Sequence, residues 1–159
     1  MAGAMIIPGV SQRPQYWLGG TVTFAAGTSG AVAQHTVFTI TGMVAFAFFA
    51  RCTDALTSGG AATISHGNVT TVDGLGSATV ATTIDAGDAI TPSTPTWMEA
   101  TAFVDNAGYI NPAWASTGTD ITADILTTTI TGGTLEYYLI WTPLSVGASV
   151  TLGAELTAL

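Results

Sequence analysis

Lysine is absent from this chain, and its only basic residues are Arg13 and Arg51, against ten aspartates and glutamates, for a formal charge of −8. Binding a phosphate backbone takes several basic side chains per site, so nucleic acid is not an expected partner. An anionic membrane surface is excluded on the same ground. Cysteine occurs once, at Cys52, which rules out an intrachain disulfide framework. At the end of an apolar segment that thiol reads as a small buried hydrophobe. Charge of either sign is scarce, at 8% of residues, against about 25% in an ordinary domain. Long hydrophobic runs are also missing. The longest, Met43 to Ala50, holds eight residues, whereas a spanning helix needs roughly 20. The first residues, Met-Ala-Gly-Ala-Met, carry neither the charged start nor the continuous apolar stretch of a signal peptide, so general secretion is not an expected route.

Hydrophobic residues make up 48% of the 159 residues, and the mean hydropathy is +0.51. That length suits one domain with a real core. With so few charges, its surface must be built from Thr, Ser, Asn and Gly, or be buried against other subunits. The spacing of β-type segments predicts strands over 21–26, 34–41, 43–53, 61–66, 77–83, 96–104, 121–130, 134–142 and 148–153. Turn residues separate them, and no segment offers a capped amphipathic helix. The class expected is all-β, a single β-sandwich of jelly-roll type over residues 21–159. Gly132-Gly133 reads as a two-residue hairpin turn. After it Leu135, Tyr137, Leu139 and Trp141 share one face, while Thr134, Glu136, Tyr138 and Ile140 share a face that is only half polar. The run 43–50 reads as a strand covered on both sides.

Residues 1–20 differ. Met5-Ile6-Ile7 stop at Pro8-Gly9, and Arg13-Pro14 breaks the chain again before Tyr16-Trp17. Such a segment reads as an extended arm with apolar anchors for a neighbouring surface. The alternative is a terminal strand paired at the sheet edge. The predicted contact residues are Met5, Ile6, Ile7, Tyr16 and Trp17 on the arm, Phe46, Phe48 and Phe49 in the apolar run, and Trp114 in an aromatic loop over 106–119.

Groups able to do chemistry are few. His35 reads as a hydrogen-bonded structural histidine, and His66, before Gly67-Asn68, as a turn residue. A nucleophilic cysteine wants an electropositive, partly exposed site, which Cys52 beside an apolar strand does not promise. Asp85 with Asp88, and Asp120 with Asp124, have the spacing of turn carboxylates and match no calcium loop. Asp85 or Asp88 with Glu99 would imitate a glycosidase pair, but two acids among ten carry little weight. There is no Gly-x-x-x-x-Gly-Lys phosphate loop. No catalytic residue, metal ligand or cofactor is predicted.

The phrases His35-Thr-Val-Phe-Thr-Ile-Thr-Gly42, Arg51-Cys-Thr-Asp-Ala-Leu56, Thr83-Ile-Asp-Ala-Gly-Asp88 and Ile130-Thr-Gly-Gly-Thr-Leu-Glu-Tyr-Tyr-Leu-Ile-Trp-Thr-Pro-Leu144 resemble small structural proteins of tailed-bacteriophage particles, of the capsid decoration or cement type. The likeness spans roughly residues 20–145. It implies a β-rich virion protein without enzymatic activity. Such a protein sits as a homotrimer or other symmetric cluster on the outer capsid surface and binds the lattice of the major capsid protein. It carries over no catalytic or cofactor-binding residue. The alternatives are another minor head or tail protein, and a glycan- or receptor-binding fibre module using Trp97, Tyr109 and Trp114.

Overall fold

The computed structural model describes residues 14–91, 94–98, 114–117 and 119–159. Among the described residues twelve strands follow in chain order: β1 Tyr16–Thr23, β2 Gln34–Thr41, β3 Met43–Ser58, β4 Thr63–Gly67, β5 Gly76–Val80, β6 Ala89–Thr91, β7 Thr94–Met98, β8 Trp114–Thr117, β9 Ile121–Leu126, β10 Ile130–Pro143, β11 Ser149–Leu152 and β12 Thr157–Ala158. Among the described residues the only helical piece is a 3-10 turn at Ala81–Thr83. Two antiparallel sheets result. The first runs β12-β1-β10-β3-β6-β7, with β8 also on β3; the second runs β11-β2-β9-β4-β5. The chain passes from one sheet to the other between β1 and β2, β2 and β3, β3 and β4, β5 and β6, β8 and β9, β9 and β10, β10 and β11, and β11 and β12. The expected all-β sandwich is therefore the fold.

The sandwich is built on the two longest strands. β3 pairs with β10 so that Cys52 meets Leu135, Ala50 meets Tyr137, Phe48 meets Leu139, Phe46 meets Trp141 and Val44 meets Pro143. Successive side chains of a strand point to opposite faces. The even residues of β3 thus join the odd residues of β10 in one inward layer, which is buried from Val44 to Cys52 and from Leu135 to Trp141. Opposite them the second sheet contributes Phe38, Ile40, Ile64, His66, Ile121, Ala123 and Ile125. Phe38 meets Phe48 edge to face across the layers, with ring centroids 6.5 Å apart. The run 43–50 is a strand, as expected, but only its even side is covered by the other sheet: Met43 is exposed and Phe49 half-buried on the outer side.

Three expectations are corrected. Gly132-Gly133 is no hairpin turn: it lies inside β10, at a run of register irregularities between Ile130 and Leu135. Gly133 has φ +100°, and a Cβ there would stand 2.6 Å from the carbonyl oxygen of Ala55. A glycine with positive φ serves a β-bulge as well as a turn, and the local sequence is the same for both. The change of direction comes earlier, after β9, where Thr127 takes φ 75°.

The boundary expected at residue 20 also falls inside an element. Tyr16 to Gly20 are strand, paired residue for residue with Trp141 to Tyr137. β1 lies between β10 and the short β12, which pairs only with Gly20 and Thr21. Glycine at position 20 is required by packing: a Cβ there would meet Leu152 and Leu156 within 2.9 Å. Met5, Ile6 and Ile7 lie outside the described residues. Thirdly, residues 114–117, read as part of a loop, form β8 on the edge of β3.

Because β1 is a strand of the first sheet, deleting residues 1–18 is expected to destabilise the domain. The deletion strips Tyr16 from its stack on Trp141 and Leu18 from the core margin, a loss of about 2–4 kcal/mol. Guanidinium unfolding of the truncated chain measures it, and an unchanged midpoint would contradict the pairing.

Candidate functional site

The groups with chemical potential are placed first, because they decide what kind of site this protein has. Cys52 is buried on the inward layer, and its thiol lies 3.1 Å from the carbonyl oxygen of Asp54. Burial, and then the nearby Asp88 carboxylate, push the thiol up to about 11, so at neutral pH it is not a thiolate. His66 is not in a turn. It belongs to β4, is fully buried, and its Nε2 is 3.1 Å from the Tyr137 hydroxyl. Phe48 and Tyr137 flank its ring at 5.8 and 5.5 Å. Burial pulls it down to about 3, and burial raises the Tyr137 phenol. This His66–Tyr137 pair is buried inside the sandwich. His35 is structural, as expected: Nδ1 is 2.8 Å from the Glu155 carboxylate and Nε2 is 2.9 Å from the carbonyl oxygen of Ala31.

The acidic pairs part company. Asp85 is exposed, but Asp88 is buried, which corrects the expectation that both are solvated. Its carboxylate accepts a bond from the Asp85 N–H at 2.9 Å, while its carbonyl oxygen receives the Cys52 N–H at 2.8 Å and the Cys52 carbonyl oxygen receives the Gly87 N–H. The turn is thereby clipped to β3. Asp120 is half-buried and accepts the Ile40 N–H at 3.0 Å, carrying on the ladder beside β2. Among the described residues no three His, Cys, Asp or Glu side chains converge as metal ligands would.

What remains is surface, and the two outer faces are unlike. On the second sheet, Gln34, Thr39, Thr41, Ser149 and Thr151 are exposed, with Ser149 opposite Thr41 and Thr151 opposite Thr39. The β11-β2 end of this face is hydroxylic, while at the β9-β4-β5 end Leu126 and Val80 flank Thr63 and are 43% and 38% exposed. The first sheet presents the other set of residues of the β1, β10 and β3 registers. Trp17, Ile140 and Ala47 form one cross-strand row, and Gly19, Tyr138 and Phe49 form the next. Trp17 is 64% exposed and Leu159 60%; Tyr138, Ile140 and Phe49 are half-buried. Trp17 packs on Tyr138 with centroids 5.2 Å apart. A Cβ on Gly19 would stand 3.2 Å from both Leu159 and Tyr138, so the glycine lets them close over the strand.

One polar group borders this apolar area. Arg51 donates to a Glu136 carboxylate oxygen through Nη2 at 2.8 Å and through Nε at 3.1 Å. The Tyr138 hydroxyl donates to the same oxygen. Partial burial, and then Glu136, raise the Tyr138 phenol. The charges cancel within the molecule, and the pair fixes the tyrosine ring over the face.

Of the contact residues predicted from sequence, the structure brings Trp17 and Phe49 onto this face. Tyr16, one position from Trp17, turns to the inward side at the end of the sandwich, stacks on Trp141 at 4.7 Å and stays 46% exposed. Phe46 and Phe48 are corrected: period-two alternation sends them into the core, where they are 5% and 1% exposed. Trp114 opens β8 at the register position beside Phe46, and Tyr109 lies outside the described residues. Tyr138, Ile140 and Leu159, which lie on the same face, were not singled out from the sequence. The half-polar alternate face of β10 was their signal, and it needed Trp17 on the neighbouring strand to become a patch.

Comparison with protein-family models, with characterised proteins and with solved structures finds no match.

The buried histidine predicts an acid-sensitive fold. Its pKa is lower folded than unfolded, so the unfolded chain binds the extra proton. Stability is therefore full above about 6.5 and falls as pH drops below that value, by about 1.4 kcal/mol per pH unit. Denaturant unfolding should show a loss of about 2 kcal/mol between pH 6.5 and 5 that the His66→Gln variant lacks. Parallel pH profiles for the two proteins would refute it.

Proposed function

We propose that this protein is a non-enzymatic structural protein of a tailed-phage particle, of the decoration or cement type. It binds the outside of the head lattice as a symmetric oligomer, a trimer in the simplest case, and stabilises that lattice. The observation that carries the reading is the outer face of the first sheet: Trp17, Tyr138, Ile140, Phe49 and Leu159 in one apolar area on a chain of charge −8. A lone monomer rarely leaves such an area in water. A second copy can meet it without repulsion, because Arg51 and Glu136 at its border already neutralise each other.

The strand order supports the jelly-roll form of the sandwich. β1-β10-β3 followed by β6 on one sheet, and β2-β9-β4-β5 on the other, is the arrangement in which a long antiparallel ribbon is rolled into two layers. Viral capsid domains and lectins both use that architecture, and the fold alone does not choose between them. The net negative charge favours a surface exposed to solvent over one facing packaged DNA. The sequence before Pro14, with Met5, Ile6 and Ile7, is proposed to add to the attachment on the shell.

Sedimentation equilibrium tests the reading at micromolar concentration, where the intact protein is expected to be oligomeric. A buried interface aromatic commonly contributes about 2 kcal/mol or more. Trp17→Ala should thus weaken association about thirtyfold or more, while circular dichroism stays that of the intact fold. A monomeric intact protein that also fails to bind undecorated shells would overturn the proposal.

A further inference from the structure

Two hydroxyls of the second sheet are buried without reaching any protein partner, and they lie in one small patch. β4 and β9 pair with Ser65 opposite Asp124 and Gly67 opposite Thr122. Ile64, His66, Ala123 and Ile125 fill the core, so the alternate residues Ser65, Gly67, Asp124 and Thr122 belong to the outer face. Outer-face residues of a two-layer sandwich normally meet solvent. Ser65 is nevertheless 1% exposed and Thr122 4%.

The connection over residues 68–75 lies over this patch. A Cβ on Gly67 would stand 1.9 Å from the carbonyl oxygen of Thr71 and 2.7 Å from the carbonyl carbon of Val72, so the loop backbone rests directly on the strand there. Asn68 braces the loop: its Oδ1 accepts from the Thr70 N–H at 2.9 Å, the Thr71 N–H at 2.8 Å and the Thr70 hydroxyl at 2.8 Å. The Leu75 N–H returns to the carbonyl oxygen of His66 at 2.8 Å. Loop, strand and brace are all bonded, but Ser65 Oγ and Thr122 Oγ1 bond to none of them.

We propose that Ser65 and Thr122 form a structural water site beneath the loop, holding one ordered water that ties residues 68–75 to β4 and β9 together. Buried polar groups are almost always paired, with ordered water where the protein supplies no partner. The chemistry of the site selects water over a metal ion. Each hydroxyl can donate or accept, which suits a molecule that takes two to four such partners. A hard cation such as calcium requires about six to eight oxygen ligands with several carboxylates, and this patch brings one, Asp124 opposite Ser65. Losing either hydroxyl removes a partner of the same water, so the two residues act as one unit.

Amide hydrogen exchange across residues 69–75 tests the site in the intact chain, with the β3 and β10 amides as the readout of global folding. Ser65→Ala and Thr122→Val should each speed loop exchange about tenfold, and the double variant no further than either single one, because the water is already lost. Thr122→Ser keeps the hydroxyl and should leave the rates unchanged. Effects that multiply in the double variant, or no effect at all, would overturn the proposal. A high-resolution crystal structure of the unaltered protein decides independently of the variants' stability. One water within hydrogen-bonding distance of both oxygens is expected there. Direct bonds from the hydroxyls to the loop, or a site with metal–oxygen distances of about 2.4 Å, would each exclude it.

Discussion

The antiparallel pairing of β3 with β10 is the constraint on which the rest of this molecule depends. It sets the phase of the first sheet, because a one-residue slip would exchange every inward side chain for its outward neighbour. Between Ile130, inward at an even position, and Leu135, inward at an odd one, the phase shifts by one residue, and the irregular stretch around Gly133 absorbs it. Below that point Tyr137 and Leu139 reach the core while Tyr138 and Ile140 are held outside. The same register aligns Trp17 of β1 with Ile140 and Gly19 with Tyr138. Core and apolar outer face are thus two consequences of one pairing.

Function follows from what this arrangement hides and what it leaves out. The thiol, the fully buried histidine and the core tyrosine are packed among apolar side chains, where burial holds each in its neutral form. Polar chemistry on the exterior is turned to bracing, His35 to Glu155 and Arg51 to Glu136, and the buried Asp88 clips its turn to β3 beside Cys52. The β11-β2 end of one outer face is hydroxylic and the β1-β10-β3 part of the other is apolar, so the two sides of the sandwich differ. The assembly role proposed above rests on that asymmetry.

Much of this was legible in the residues themselves. The alternation Leu135, Tyr137, Leu139, Trp141 is the buried face of β10, and the run from Met43 is a strand. Short-range patterns of this kind survive because neighbours in sequence share a strand. Features that depend on distant partners were not legible. Phe46, Phe48 and Phe49 sit in a solid apolar run, which carries no parity until β10 supplies the register. Asp88 is buried through backbone bonds to Cys52, thirty-six positions earlier. Gly19 and Gly20, placed at the end of an arm, lie in a strand whose missing side chains make room for Leu152, Leu156 and Leu159. Gly132-Gly133 has the backbone freedom of a turn and spends it on a bulge.

The central claim is that the outer face of the first sheet is buried between subunits. Hydroxyl-radical footprinting of the assembled protein measures this residue by residue. The account predicts that Trp17, Tyr138 and Ile140 are protected on assembly, while Val69 and Val146, exposed at loop tips, react as they do in the dissociated chain. Full reactivity of Trp17 in the assembled state, with protection shifted to the threonines and Ser149 of the second sheet, would contradict it.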